Sequence, residues 1–233
     1  MLYEHLGVFA WTTEFWSPQR EAGIKDYHYT DWIRDHPVED DVKLIRWADE
    51  TYPEAYVDWY AFDHPELGAV ELGGWDNINY WFNVPFDRLE AEVAPHSDWA
   101  VFHALISPLL EIRSLDVERL ADDSFLVRLV LQNSGWLPTN VTEKAVERKV
   151  ARPLEVELDL PEAARVIAGE VKVEIGQLAG RADKRSTTWW GNDESTKDLA
   201  KLEWVIEAPA GTEIGIEARH QRAGTVRRSI NPD

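Results

Sequence analysis

The second half of the chain alternates apolar and polar residues with a period of two. Over residues 154–160, Leu and Val alternate with Glu and Asp, and Val171, Val173 and Ile175 repeat the pattern. Such alternation is typical of strands with one buried face and one solvated face. The spacing of these runs predicts about seven or eight short strands over residues 109–233, and therefore an all-β sandwich.

Two pairs of these runs are joined by short segments suited to turns. Residues 121–124 (Ala-Asp-Asp-Ser) precede the apolar run at 125–132, and residues 221–224 (Gln-Arg-Ala-Gly) join the runs at 214–220 and 225–230. Asp, Ser and Gly favour tight connections because they hydrogen-bond locally or adopt a positive φ angle. We expect a β-hairpin at each place.

The first half has a different pattern. The segment from Leu6 to Trp16 is a nearly unbroken apolar run with β-branched and aromatic residues. A run of this kind predicts a strand that is covered on both faces, as in an α/β sheet. Residues 52–85, which are rich in aromatic residues, Gly and Pro, are expected to form ordered loop and short strand.

Two helices are predicted in this half. The first extends from about residue 35 to 49, because Pro37 stands near its start and three acids follow in the first turn. Its apolar face is formed by Val38, Val42 and Ile45. The second extends from about residue 95 or 97 to 107, and its apolar stripe is formed by Trp99, Phe102, His103 and Ile106.

The net charge of the chain argues against two classes of binding partner. The 233 residues include 24 Lys and Arg against 43 Asp and Glu, for a net charge of −19. Such an excess of acids argues against binding to nucleic acid or to anionic lipid. No apolar run approaches the roughly 20 residues that cross a bilayer, so no membrane span is predicted. The chain has no Cys, which excludes disulfides, thiolate catalysis and Cys-ligated zinc, but the compartment stays open.

Composition also divides the chain. Residues 1–108 carry a net charge of −15 and eight of the twelve Trp, whereas residues 109–233 carry a net charge of −4 and few aromatic residues. We therefore predict two domains with a boundary near Pro108.

Glu14 is the one acid within residues 6–17. A carboxylate placed in an apolar interior costs several kcal/mol unless a partner compensates it. Glu14 could lie at the solvated end of the strand, or it could pair with Arg20 or Arg46. An acid at a strand end in an α/β fold is also a common position for a catalytic residue.

The segment at residues 3–16, Tyr-Glu-His-Leu-Gly-Val-Phe-Ala-Trp-Thr-Thr-Glu-Phe-Trp, resembles the late catalytic segment of carboxypeptidase A-like zinc metallocarboxypeptidases. The resemblance implies that Glu14 is the general base that activates zinc-bound water and later protonates the leaving amine. Residues 94–108 are similar to the last helix of that catalytic domain. Residues 17–93 resemble a Trp-rich insertion of a microbial subgroup, and Phe15 replaces the usual Leu.

The resemblance implies an α/β remnant of a catalytic domain (1–108) followed by the β-sandwich (109–233). In that family the zinc ligands, the arginines that hold the substrate carboxylate and the mobile tyrosine precede this segment. The chain is therefore expected to be the C-terminal part of a zinc enzyme that removes C-terminal residues from peptides. By itself it is expected to bind no catalytic zinc, to be inactive, and to self-associate through an exposed sheet edge.

His36-Pro37-Val38-Glu39 matches His-x-x-Glu literally, with His64 downstream as a third candidate ligand. This motif follows Glu14, whereas the family's motif precedes its glutamate. Pro37 and the acids after it are better explained as a helix start. His96 and His103, seven residues apart on one helix, are expected to pack or cap rather than to bind metal.

A non-enzymatic function is the alternative. In this interpretation the chain is a Trp-rich β-sandwich binding module for carbohydrate or peptide. Trp75, Trp189 and Trp190 would be its exposed platforms.

Overall fold

The computed structural model describes residues 1–184 and 196–232. The chain forms two compact units, one of residues Met1–Trp11 with Val101–Asp233 and the other of residues Thr12–Ala100. Within the described residues the α-helices are α1 (Leu2–Leu6), α2 (Pro18–Glu21), α3 (Tyr29–Arg34), α4 (Val38–Thr51), α5 (Leu89–Ile106) and α6 (Glu143–Glu147).

All the strand pairs of the described residues are antiparallel. The strands are β1 (Tyr56–His64), β2 (Gly68–Trp75), β3 (Leu110–Ala121), β4 (Ser124–Asn133), β5 (Leu154–Asp159), β6 (Arg165–Ala168), β7 (Lys172–Ile175), β8 (Leu199–Glu207), β9 (Ile214–His220) and β10 (Gly224–Ile230). Mixed helix and strand in the first half and mainly strand in the second half are thus confirmed.

Helix α4 forms where the sequence predicts a helix, with Pro37 as its N-cap residue and three acids in its first turn. The prediction of its buried face is wrong. Val38, Val42 and Ile45 are exposed, and the buried residues are Asp40, Leu44, Trp47 and Ala48. The indole of Trp47 offers far more apolar area than a valine, so the face that carries it turns inward.

Helix α5 begins at Leu89, earlier than predicted, and continues through Pro95. No residue of this 18-residue helix is buried. Two of its apolar side chains are largely exposed, Leu105 at 74% and Val101 at 59%.

The strand predicted from Leu6 to Trp16 is not formed in this chain. Residues 7–17 belong to neither helix nor strand. Phe9, Trp11 and Phe15 are 46%, 55% and 38% exposed. A strand covered on both faces needs neighbouring strands for its backbone and helices for its side chains, and the described residues place no strand beside this segment.

The unit of residues Thr12–Ala100 has two small cores built mainly of aromatic residues. One contains Trp47 and Tyr52, and the other contains Ile24, Trp32 and Leu44. Strands β1 and β2 form a hairpin in this unit, and the described part of that hairpin contains no fully buried residue.

The other unit contains two four-stranded sheets, in the strand orders β3-β4-β8-β6 and β10-β9-β5-β7. We call it the two-sheet domain. Alternate residues of β4, β5, β8 and β9 are buried, as the period of two predicts. Most of the apolar residues among them belong to a single core that both sheets share, and Trp204 is the largest fully buried side chain in it.

Both predicted hairpins are present in this domain. Strand β3 pairs with β4 up to Ala121 and Ser124, and β9 pairs with β10 up to His220 and Gly224. Gly224 has a φ angle of 92°, a value that favours glycine at the end of the second turn.

Asn133, at the end of β4, is fully buried and ties three loops together. Its Oδ1 accepts hydrogen bonds from the backbone N–H groups of Leu109 (2.9 Å) and Gly135 (3.1 Å). Its Nδ2 donates to the carbonyl groups of Leu137 (2.9 Å) and Ala179 (3.0 Å). All four hydrogen-bonding positions of the amide are therefore used.

His220, at the end of β9, is also buried in the two-sheet domain. Its Nδ1 accepts from the backbone N–H groups of Arg222 (3.1 Å) and Ala223 (3.2 Å). Nε2 therefore carries the proton and donates to the Arg152 carbonyl and to Gln177, both at 3.1 Å. These contacts fit a neutral imidazole.

Burial lowers the pKa of His220 below its ordinary value. The unfolded chain takes up a proton below about pH 6.5 while folded His220 stays neutral, so the free energy of unfolding falls as pH decreases through this range. We expect a loss of up to about 1.4 kcal/mol per pH unit, measured by denaturant unfolding. The loss should shrink in His220→Gln but not in His5→Gln, which changes an exposed residue of the same unit. Equal pH dependence in all three proteins would contradict this assignment.

Among the described residues, no helix has both the length and the apolar character required to span a membrane.

Candidate functional site

Glu14 lies in the irregular segment at residues 7–17 and is exposed. The structure does not form an ion pair between Glu14 and Arg20. Arg20 donates instead to Glu21 (3.1 Å) and to Glu92 (2.8 Å), and Glu21 also pairs with Arg88. The guanidinium of Arg20 is thus already engaged by two carboxylates within the unit of residues Thr12–Ala100.

The resemblance implies a zinc ion, which would require a cluster of His, Asp or Glu side chains as ligands. In the ranges 1–184 and 196–232, no three or more His, Asp or Glu side chains come together as metal ligands. These residues do not fit a zinc centre.

His36, from the His-x-x-Glu motif, has a structural environment. Its ring stacks on Trp32 with the ring centroids 4.1 Å apart. Its Nδ1 lies 2.7 Å from the Trp32 carbonyl and its Nε2 lies 3.0 Å from Asp41. The hydrogen bond with Asp41 raises the pKa of His36. These contacts fix the chain just before α4, in agreement with the predicted helix start.

The two histidines of α5 pack against aromatic rings. The ring centroid of His103 lies 4.4 Å from that of Trp11, and the ring centroid of His96 lies 5.3 Å from that of Phe15. The predicted packing role of these histidines agrees with these contacts.

Two tyrosines of the unit of residues Thr12–Ala100 donate to carboxylates. The Tyr52 hydroxyl lies 2.9 Å from both Asp87 oxygens, and the Tyr80 hydroxyl lies 2.6 Å from Glu54. The bond to Glu54 raises the pKa of Tyr80 to about 12. Because Tyr80 keeps its proton at neutral pH, it holds Glu54 in place rather than exchanging protons with it.

The structure does not support Trp75 as an exposed platform. Trp75 is half-buried, and its ring packs against Tyr56 and Trp81 at centroid distances of 5.1 Å and 5.5 Å. Trp189 and Trp190, the other two proposed platforms, lie outside the described residues.

A different tryptophan, Trp136, is 53% exposed in the two-sheet domain. It lines a cavity of about 340 Å³ together with residues 104–109, Ser134, Gly135 and Arg181. Sequence reasoning missed this residue because an isolated tryptophan carries no signal of its exposure.

Sequence reasoning also missed Arg222, in the turn between β9 and β10. Its guanidinium donates to three backbone carbonyl groups, those of Leu6 (2.5 Å), Gly7 (3.0 Å) and Asn140 (2.6 Å). The Thr142 hydroxyl donates to the same Gly7 carbonyl at 2.7 Å. Burial lowers the pKa of Arg222. We call this group of contacts the Leu6–Gly7 anchor.

Comparison with known proteins gives a family but no named activity. No curated protein matches the chain. The model of the family described as "Domain of unknown function (DUF8731)" matches residues 109–231, which include all eight strands described in the two-sheet domain. Since this match covers more than half of the 233 residues, the chain belongs to that family of unknown function.

Proposed function

We propose that the chain is the C-terminal part of a zinc-dependent metallocarboxypeptidase, an α/β catalytic remnant followed by a β-sandwich, with Glu14 as the general base. The observation that carries the proposal is the segment at residues 3–16, whose order of residues resembles the segment that holds the catalytic glutamate of that family. Peptides would be the substrates, and release of the C-terminal residue would be the reaction.

The exposure of this segment supports the proposal. Apolar residues on both faces are typical of a strand inside an α/β sheet, yet Phe9, Trp11 and Phe15 are exposed here. Helix α5 likewise contains no fully buried residue. Both elements would become buried if further strands and helices of a catalytic domain packed against them, and the burial would stabilise the enzyme by about 25 cal/mol for each Å² of apolar surface.

Glu14 has the chemistry required of the base. An ionised carboxylate can take a proton from the attacking water and later donate it to the leaving amine. The described residues do not fit a zinc site, so in this proposal the ligands of the metal belong to a part of the enzyme outside this chain.

The protein as its own cells make it provides the test. We expect a species with a His-x-x-Glu motif and a later His ahead of Tyr3, identified from its N-terminal sequence and intact mass. That species should bind zinc and release C-terminal residues from peptides, and chelation should abolish the activity. A natural protein that begins at Met1 and has no peptidase activity would contradict the proposal.

A second candidate is a non-enzymatic binding module, which the exposure of Trp136 favours. A half-exposed indole beside a cavity and a cationic side chain, Arg181, suits a sugar ring or an acidic peptide. Titration with glycans and peptides should then change the tryptophan fluorescence, and Trp136→Ala should remove the response. Trp59→Ala, which removes a tryptophan that is 61% exposed in the other unit, is the control. An unchanged fluorescence across the panel would exclude this function.

A further inference from the structure

The Leu6–Gly7 anchor joins residues that are far apart in the sequence. Arg222 lies 215 residues after Gly7, and Thr142 lies 135 residues after it. The two side chains converge on one carbonyl oxygen, and Arg222 also binds the carbonyl before it. A planar guanidinium with several donors in fixed directions can satisfy such a group of acceptors in only one arrangement of the chain.

Position 7, whose carbonyl Arg222 and Thr142 bind, requires glycine for two reasons. Its φ angle is 58°, in the left-handed region, where it ends α1. A Cβ atom at this position would lie 2.4 Å from the backbone N and Cα of Ala145 in α6. A side chain larger than hydrogen therefore cannot be accommodated unless the main chain at Gly7 moves away from α6.

Within the described residues, the charge of Arg222 interacts with main-chain carbonyl groups rather than with a carboxylate. Among the described residues no carboxylate pairs with it, and its bonds go to main-chain oxygens of Leu6, Gly7 and Asn140. Desolvating a cation costs free energy, which these carbonyl dipoles offset. The hydrogen bonds of Arg222 therefore fix the position of the main chain, while the cost of desolvating the guanidinium offsets the electrostatic stability that they add.

The anchored residues lead directly into the segment that carries Glu14. Two residues after Gly7, the ring of Phe9 lies 5.7 Å from that of Trp11, which in turn packs on His103. Glu14 follows Gly7 by seven residues. The segment therefore starts within the two-sheet domain, at a point that Arg222 and Thr142 fix.

We propose that Arg222 is a positioning residue, through which the two-sheet domain holds the start of the Glu14 segment in place for catalysis. This inference rests on the proposed carboxypeptidase function and gives the two-sheet domain a role in it. Arg222 acts on the main chain at Leu6 and Gly7 and does not touch the reacting atoms.

Hydrogen exchange of the 233-residue chain tests the anchor itself. The Gly7 amide, which donates to the Tyr3 carbonyl at 3.0 Å, should exchange at least about tenfold faster in Arg222→Gln. Arg228→Gln, an exposed arginine of the adjoining strand β10, should leave it unchanged. Circular dichroism and the thermal transition of each variant would show that the two-sheet domain is still folded. Unchanged exchange in folded Arg222→Gln would overturn the proposal.

Steady-state kinetics of the complete natural protein test whether the Leu6–Gly7 anchor contributes to catalysis. Arg222→Gln should lower kcat about tenfold or more with little change in KM, because the peptide-binding groups are untouched. Arg222→Lys, which keeps the charge and can still donate to carbonyl oxygens, should recover part of kcat. Arg228→Gln should retain full activity. Faster exchange at Gly7 combined with an unchanged kcat would make the anchor purely structural and would overturn the positioning role.

Gly7→Ala disrupts the same contact through the main chain that Arg222 binds, because its Cβ atom would clash with Ala145. Gly7→Ala should lower kcat as Arg222→Gln does. The kcat of the double variant should be no lower than that of the more impaired single variant, because both changes release the same contact. Fully additive losses would contradict a shared anchor. If the unsubstituted natural protein has no peptidase activity, it is the proposed function that fails, and the exchange experiment reports separately on the anchor.

Discussion

Under the proposed carboxypeptidase function, replacing Glu14 by Gln in the complete natural protein is expected to lower kcat for release of a C-terminal residue about 10³-fold. Gln has nearly the shape of Glu, but its amide cannot accept and return a proton at neutral pH. Substrate contacts are kept, so KM should change little. Peptide hydrolysis under steady-state conditions gives both parameters, and metal analysis should give the same zinc content as in the unsubstituted protein.

Glu39→Gln is the matched control for this experiment. Glu39 belongs to the other segment with metal-site character, His36-Pro37-Val38-Glu39, but it is exposed in the first turn of α4. Its replacement should leave kcat unchanged. The proposed function loses its catalytic base if Glu14→Gln stays within a few-fold of full activity, and the helix-start interpretation fails if Glu39→Gln is the damaging change.

Asn133→Leu is expected to destabilise the two-sheet domain by about 3–5 kcal/mol. Leucine keeps the same branched skeleton of four heavy atoms but removes four hydrogen bonds at once and places bulkier methyl groups at their positions. The N–H groups of Leu109 and Gly135 and the carbonyls of Leu137 and Ala179 would then lose this buried partner. Denaturant unfolding of the 233-residue chain, followed by tryptophan fluorescence, to which buried Trp204 contributes, and by circular dichroism, measures the effect.

Ser134→Ala is the control at the adjoining position. Its hydroxyl makes one long hydrogen bond, 3.4 Å, to the Leu109 carbonyl, and the expected cost is below about 1 kcal/mol. Similar losses for the two variants would show that Asn133 does not hold the three loops together.

Strands β4, β5, β8 and β9 of the two-sheet domain could be read from the sequence because each has one buried face. Leu154, Val156 and Leu158 point into the core while the acids between them face solvent. The period of two then predicts the strand and its buried face together. Short polar connections likewise indicate the hairpins.

The first half could not be predicted as well, for a physical reason. The apolar run from Leu6 to Trp16 specifies burial on two faces, but a strand forms only where neighbours supply hydrogen bonds and cover. In α4 the choice between two apolar faces depended on which aromatic partners lay opposite, and Trp47 packs near Trp16 with the ring centroids 6.3 Å apart. Neither partner set can be read from local spacing.

The sequence predicts a residue of the candidate site only where that residue differs from its neighbours in the sequence. Glu14 stands out as an acid in an apolar run. Arg222 does not, because its partners are main-chain carbonyls more than 200 residues away at Leu6 and Gly7. A single arginine in a polar turn carries no sign of such contacts.

The strand order of the two-sheet domain also determines when it can fold during synthesis. Strand β4 pairs with β8, and β5 pairs with β9, so each sheet joins an early strand to one from the last 35 residues of the chain. On the ribosome, the hairpin of β3 and β4 has its own turn and can form first. The shared core must then wait until β8 and β9 have left the exit tunnel. A premature stop codon before β8 would therefore leave both half-made sheets without a core, as a substrate for chaperones and proteases rather than a smaller domain.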